Sequence, residues 1–290
     1  MKMMLNGQPR ELSVDTGSDI SSITNEAALE LGVKQFHTEN GGAFLNNVTI
    51  DRYGFLDSLA FGAVHTTGKW PVLIIPDKVV PNTISGLIGA NIMQPYDVEL
   101  NFFRGKLNFF APNKCPAPVY WAKAYARMAM TIDSNQHISV EAKLDGKTVT
   151  VILDTGASNS IMSLDVARDL FGWSDNDPRM KPVTEENFNG GGSADVYLFP
   201  FQSLTFEGVT VNNPKIQMVP REHFMQHDKS IVVGLNVLRQ LHLLIAYPDN
   251  TLYLTPAEAE DGQIPAIPPQ PTAAAKMTDA AVPIGPKTSP

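Results

Sequence analysis

The triplet Asp15-Thr16-Gly17 returns 139 positions later as Asp154-Thr155-Gly156, and the residues around the two copies keep step. Gly7 and Gly146 each stand eight positions before the aspartate, in Leu5-Asn6-Gly7 and Leu144-Asp145-Gly146. Asn-Gly and Asp-Gly are strong hairpin signals, because both central residues of a type I′ turn need positive φ. An apolar strand then runs into each aspartate, over residues 11–14 and 150–153. Six positions beyond the aspartate the copies match at Ser21 and Ser160, and nine beyond at Thr24 and Ser163, both able to cap a helix start. The helices predicted there cover 25–31 and 164–171, each followed by a glycine, Gly32 or Gly172, suited to a left-handed end.

A second anchor repeats further on. Gly86-Leu87-Ile88-Gly89-Ala90-Asn91 resembles Ile231-Val232-Val233-Gly234-Leu235-Asn236, now at an offset of 145, and that offset holds from Leu100/Ile245 to Phe109/Leu254. The change from 139 to 145 places about six extra residues in the middle of the second copy. Period-2 stretches such as Val48-Thr49-Ile50 and Val209-Thr210-Val211 dominate, with few short helices. The expected fold is therefore all-β: two β-barrel lobes with short helices, related by a pseudo-twofold axis. The predicted boundaries are 1–110 and 128–255 for the lobes, 111–127 for a Pro-bearing linker, and 256–290 for a disordered tail with eight prolines. Two copies are too few for a solenoid.

Composition removes several function classes. Of 290 residues 43% are hydrophobic and 18% charged, ordinary for a globular chain with a core. A net charge of -8 argues against nucleic acid or an anionic membrane surface as partner, since both call for basic patches. No apolar run approaches the roughly 20 residues that span a bilayer. Cys115 is the only cysteine, so an internal disulfide and a cysteine-based zinc site are excluded. His223 and His227 lie four apart but lack a third ligand, and no metal or other cofactor is expected. The glycine-rich segments lack the lysine of a phosphate loop. Trp70, Trp121 and Trp173 fit core or lobe contacts better than ligand binding.

What remains is the pair of aspartates. Hydrolysis of a peptide bond without a metal or a nucleophilic side chain needs a base to take a proton from water and an acid to protonate the carbonyl oxygen. Two carboxylates close enough to share one proton can do both, because like charges at that distance cannot both ionise and the pair titrates as a unit. One Asp-Thr-Gly says little, but two in matched surroundings say much.

Val14-Asp15-Thr16-Gly17-Ser18 and Leu153-Asp154-Thr155-Gly156-Ala157 resemble the active-site loops of retropepsin-like aspartic peptidases. Leu87-Ile88-Gly89 and Val232-Val233-Gly234 resemble that family's hydrophobic-hydrophobic-glycine signature. Retropepsins pair two identical subunits, whereas here both halves lie in one chain, as in pepsins. The resemblance implies an aspartic endopeptidase acting on a protein or peptide substrate, with an active site between the lobes and a monomer working as a pseudo-dimer. It implies Asp15 and Asp154 as catalytic residues, Thr16 and Thr155 bonding across between the loops, and Gly17 and Gly156 lining the floor. Asp19 falls where retropepsins hold substrate backbone, but its counterpart is Ser158, which implies unequal sides. Asn40-Gly41-Gly42 and Asn189-Gly190-Gly191-Gly192 occupy the stretch where flaps would close over substrate, and they also fit ordinary surface turns. A catalytically silent peptide-binding protein on the same fold, and a homodimer pairing lobes between chains, remain open alternatives. The first copy has no counterpart to the strand expected at 128–132, which predicts a longer natural N-terminus with a leader and a periplasmic or secreted location.

Overall fold

The computed structural model describes residues 1–38, 43–45, 48–112, 118–173, 177–183, 187–188, 192–193, 196–220 and 230–257. The predicted tail from residue 258 on, the glycines Gly41, Gly42, Gly190 and Gly191, Cys115, His223 and His227 lie outside them. The described chain is mostly strands with few short helices. Its described residues divide into two compact units, Met1–Leu12 with Ser22–Leu87, and Ser13–Ser21 with 88–257.

In the first unit the strand Lys2–Leu5 pairs with Gln8–Glu11 across the Asn6-Gly7 turn, where φ is 47° and 76°. Its side chains alternate as a half-buried strand demands, with Met3 and Leu5 inside. Lys2–Leu5 also pairs with the long strand Arg52–Phe61, which pairs antiparallel with Val64–Ile75. Val64–Ile75 runs parallel to Ser22–Thr24, and a core of Ile50, Ile75, Val80 and Leu87 fills behind.

The second unit repeats this plan. Asp145-Gly146 turns the chain between Ile138–Leu144 and Lys147–Leu153 with φ of 45° and 80°. Lys147–Leu153 alternates at first and is wholly buried in its last three residues, where it lies beside the parallel, fully buried strand Ser230–Val233. Both predicted helices are present, Asn25–Glu30 capped by the Thr24 hydroxyl and Leu164–Phe171 capped by that of Ser163. Gly32 and Gly172 follow them at positive φ. The six-residue insertion is bracketed by equivalent contacts. The side chains of Asn6 and Asp145, 139 apart, accept from the amides of Ser58 and Ser203, 145 apart.

The second unit also holds a five-stranded sheet in the order Lys106–Phe110, Asp97–Asn101, Leu241–Ala246, Thr251–Pro256, Ala126–Ala129. The last hairpin of each sequence copy thus enters one sheet. Residues 119–122 of the expected linker are packed on it: Val119 and Trp121 are buried against Leu244, and the Trp121 indole donates to the Thr255 hydroxyl at 3.0 Å. The expected strand at 128–132 is present as Ala126–Ala129, paired with Thr251–Pro256, and Thr131–Ile132.

Candidate active site

Both Asp-Thr-Gly loops belong to the second unit, so their geometry is that of one compact body. Each loop is tied to the end of a fully buried strand, Gly86–Ile88 or Ser230–Val233. The Asp15 amide donates to the Ile88 carbonyl at 3.0 Å, and the Asp154 amide to that of Val233 at 3.1 Å. Gly89 and Gly234 follow at once, and a Cβ there would come within 2.8 Å of Ile20 and 2.5 Å of Asn159 backbone. Only glycine allows that approach.

A polar bolt then fixes each loop to the short helix behind it. The Ser21 hydroxyl donates to the Asn91 side-chain oxygen at 2.7 Å and accepts the Gly89 amide at 2.9 Å. Ser160, Asn236 and Gly234 repeat this at 2.7 and 3.0 Å. The serines and asparagines were visible as repeated positions, but nothing in the sequence tells that they bond to one another. The helices they anchor, Ala90–Met93 and Leu235–Leu238, are too short to leave a periodic signal.

Between the loops the threonines exchange bonds. The Thr16 amide donates to the Thr155 hydroxyl at 3.1 Å and the Thr155 amide to that of Thr16 at 3.0 Å. Each hydroxyl donates a hydrogen bond across, Thr16 to the Leu153 carbonyl and Thr155 to that of Val14, both at 2.8 Å. Four reciprocal bonds, three of them buried and each worth about 1 kcal/mol net, make the spacing of the loops stiff.

That spacing sets the carboxylates. Asp15 and Asp154 are in mutual hydrogen-bonding contact. Each also lies over the other loop's glycine: a Cβ on Gly156 would fall 2.5 Å from Asp15 Oδ1, and one on Gly17 2.7 Å from Asp154 Oδ1. Asp15 is 6% exposed, whereas Asp154 is half-buried. Burial, and then the charge of Asp154, push the Asp15 carboxyl up to about 7. A group in that state keeps a proton into the neutral range, as shared-proton chemistry requires.

Asp19 and Ser158 stand at equivalent, exposed places with equivalent backbone bonds, their carbonyls taking the Asn91 and Asn236 amides at 3.1 Å each. Only Asp19 carries a charge, and its carboxylate accepts the Ile20 amide at 2.8 Å. Tyr247, the counterpart of Phe102, is 4% exposed and its hydroxyl has no hydrogen-bond partner among the described residues. Burial, and then the charge of Asp15, push its pKa up. Among the described residues no cluster of His, Cys, Asp and Glu could hold a metal ion, and no helix is long and apolar enough to cross a membrane.

A doubled β scaffold that brings two Asp-Thr-Gly loops into contact defines the aspartic protease class. The aspartyl protease family profile matches the chain over residues 1–92 and 140–237. The chain belongs to that family. The two matched segments start 139 residues apart and end 145 apart, the same offsets that separate the two sequence copies. Among solved structures, the chain is similar to a retropepsin-like aspartic protease from Rickettsia conorii at 18% identity, over 46% of this chain and 93% of that one, with a TM-score of 0.34. No curated protein sequence matches it.

Proposed function

We propose that the chain is an aspartic endopeptidase in which Asp15 and Asp154 hold one proton between them and activate water against a peptide bond. The observation that carries this reading is the contact of the two carboxylates, each seated over the other loop's glycine. In the reaction the ionised carboxylate takes a proton from water while the water oxygen bonds to the carbonyl carbon. The protonated carboxyl gives its proton to the carbonyl oxygen, so a neutral gem-diol forms and the two carboxyls have exchanged roles. Collapse returns a proton to the departing amine. No charge is created in the site, which suits a pair this buried.

A substrate in extended form would lie across the pair, held by backbone hydrogen bonds in the manner of an added strand. The exposed Asp19 carboxylate on one side and Ser158 on the other would grip its two ends unequally. Because burial and the Asp154 charge raise Asp15 to about 7, turnover should fall as the pH rises through neutrality and the last shared proton is lost.

The test is digestion of a denatured protein mixture from acidic to neutral pH, with and without pepstatin, by the purified chain and by Asp15→Asn and Asp154→Asn. Pepstatin-sensitive cleavage lost in both variants is expected. Retained turnover in either variant would rule the reading out, and silence of the unaltered chain at every pH would leave a peptide-binding protein in its place.

A further inference from the structure

The two loops share their bolts but not their donors. Asp154 Oδ1 accepts two amides, Gly156 at 2.8 Å and Ala157 at 3.1 Å. Asp15 Oδ1 accepts one, Gly17 at 2.9 Å. The next amide in that loop, Ser18, is directed instead to the main-chain carbonyl of Asp15 at 3.4 Å. The first residues after the triplets to differ in side chain stand at this place, Ser18 and Ala157. The Ser18 hydroxyl donates to the Ile20 carbonyl at 3.0 Å, closing a local turn, and Ala157 has no hydroxyl with which to do so. Every amide given to a carboxylate favours its charged form, and burial disfavours it. Both differences run the same way, since Asp15 has fewer donors and is the more buried of the two.

Resting on the reading above, we propose that Ser18 is a positioning residue: by tying its loop to Ile20 it withholds an amide from Asp15 and so seats the shared proton there. Asp15 is then the acid that protonates the substrate carbonyl, and Asp154, with its two amides, is the base that takes the proton from water. Among the described residues, the ionisable groups acting on Asp15 are Asp154 across the pair and Tyr247, which stays neutral because burial and the Asp15 charge raise its pKa. Neither differs between the variants below.

The experiment compares kcat/KM against pH for the full chain, Ser18→Ala, Ser18→Thr and Ala157→Ser, on one peptide that the unaltered chain cleaves. Ser18→Ala frees the amide to turn to Asp15 Oδ1. A charge-assisted bond of this kind should shift the basic limb towards acid by about one pH unit, leaving the acid limb in place. Ser18→Thr keeps the hydroxyl and should keep the profile. Ala157→Ser removes an amide from Asp154 and should move the acid limb upward instead. Carboxyl carbon-13 shifts of the two aspartates, followed against pH, read the same seat without turnover. The Asp15 signal should carry the upper titration step in the unaltered chain and lose that exclusive share in Ser18→Ala. Unmoved limbs with unmoved shifts, or a Ser18→Ala effect confined to the acid limb, would overturn the assignment. Absence of cleavage by the unaltered chain would instead count against the proposed activity, and the carboxyl shifts would still decide the proton seat.

Discussion

The Asp-Thr-Gly loops and the five-stranded sheet treat the repeat in opposite ways. In the loops the copies agree in the bonds that hold them in place, the threonine exchange and serine–asparagine contacts of 2.7 Å on both sides. In the sheet they diverge at the centre. Strands Asp97–Asn101 and Leu241–Ala246 pair so that Glu99 stands opposite Leu244, which is its own counterpart at offset 145. Asn101 stands opposite His242, the counterpart of Asp97. Glu99 and His242 are each 1% exposed. The carboxylate accepts from His242 Nε2 and Asn108 Nδ2 at 2.7 Å each and from the Tyr120 hydroxyl at 2.9 Å, while Trp121 stacks on His242 at 3.9 Å. Chemistry on a shared proton needs the same group from both sides. A position that faces its own copy in a dry interior cannot use the same acid twice, because two buried like charges would meet. A doubled chain can keep the first and break the second.

The largest effect should come from breaking the symmetry where it is kept. Gly17→Ala or Gly156→Ala would place a methyl within 2.7 or 2.5 Å of the opposite carboxylate. A displaced reacting group costs on the order of a hundredfold or more, so initial rates should fall at least that far while circular dichroism stays that of the unaltered chain. Full rates in either variant would mean that the carboxylates do not meet over these glycines.

Next comes restoring the symmetry where it is broken. Leu244→Glu would set a second carboxylate against Glu99 in the same dry place. An uncompensated buried charge costs about 3–5 kcal/mol, to be read as a lower urea midpoint at neutral pH. If midpoints were unchanged, the sheet would tolerate the repeat, and the contrast with the loops would lose its physical basis.

The two regions should also respond to pH with opposite sign. Burial alone would raise Glu99, but hydrogen bonds from His242, Asn108 and Tyr120 outweigh it and hold the carboxyl below its ordinary range. A depressed folded-state pKa contributes stability above the unfolded value, lost as the pH falls through the folded one. Asp15 is raised instead, so its ionisation works against folding as the pH climbs from its ordinary 3.8 towards about 7. Glu99→Gln should therefore destabilise at neutral pH and approach the unaltered chain in acid. Asp15→Asn should stabilise at neutral pH, with the gain vanishing in acid. Urea titrations at several pH values separate the two, and equal signs would contradict the assignment of either carboxyl.

Much of the loop architecture was legible because it repeats. Positive-φ turns at Asn6-Gly7 and Asp145-Gly146, the caps at Thr24 and Ser163 and the all-β lobes each leave a local pattern, and finding it twice makes it specific. The Glu99–His242 contact left none. It joins residues 143 positions apart at places where the copies differ, so comparing the halves hides it. The linker behaved likewise: its prolines suggested a spacer, while Trp121 and Tyr120 bind it to the sheet through partners that no spacing rule announces. The contrast between one and two amides on the aspartates was equally invisible, since it depends on where a backbone N–H points.

The smallest effect tests whether repeated geometry means repeated energy. Thr24 accepts the Ala27 amide and Ser163 the Val166 amide, both at 3.2 Å, and each satisfies a donor that the helix start would otherwise leave without a partner. Both helices carry an acidic residue in the first turn, Glu26 and Asp165. Their C-terminal ends differ, with Leu31 right-handed in one and Gly172 left-handed, with Arg168 in the last turn, in the other. Substitution of a cap by alanine costs about 1 kcal/mol, and because cap contact and first-turn charge are alike, Thr24→Ala and Ser163→Ala should agree within roughly 0.5 kcal/mol in urea unfolding. A clear excess at Thr24 would show that the shorter helix depends on its start for want of the longer one's last-turn arginine. The equivalence of the copies would then be one of coordinates alone.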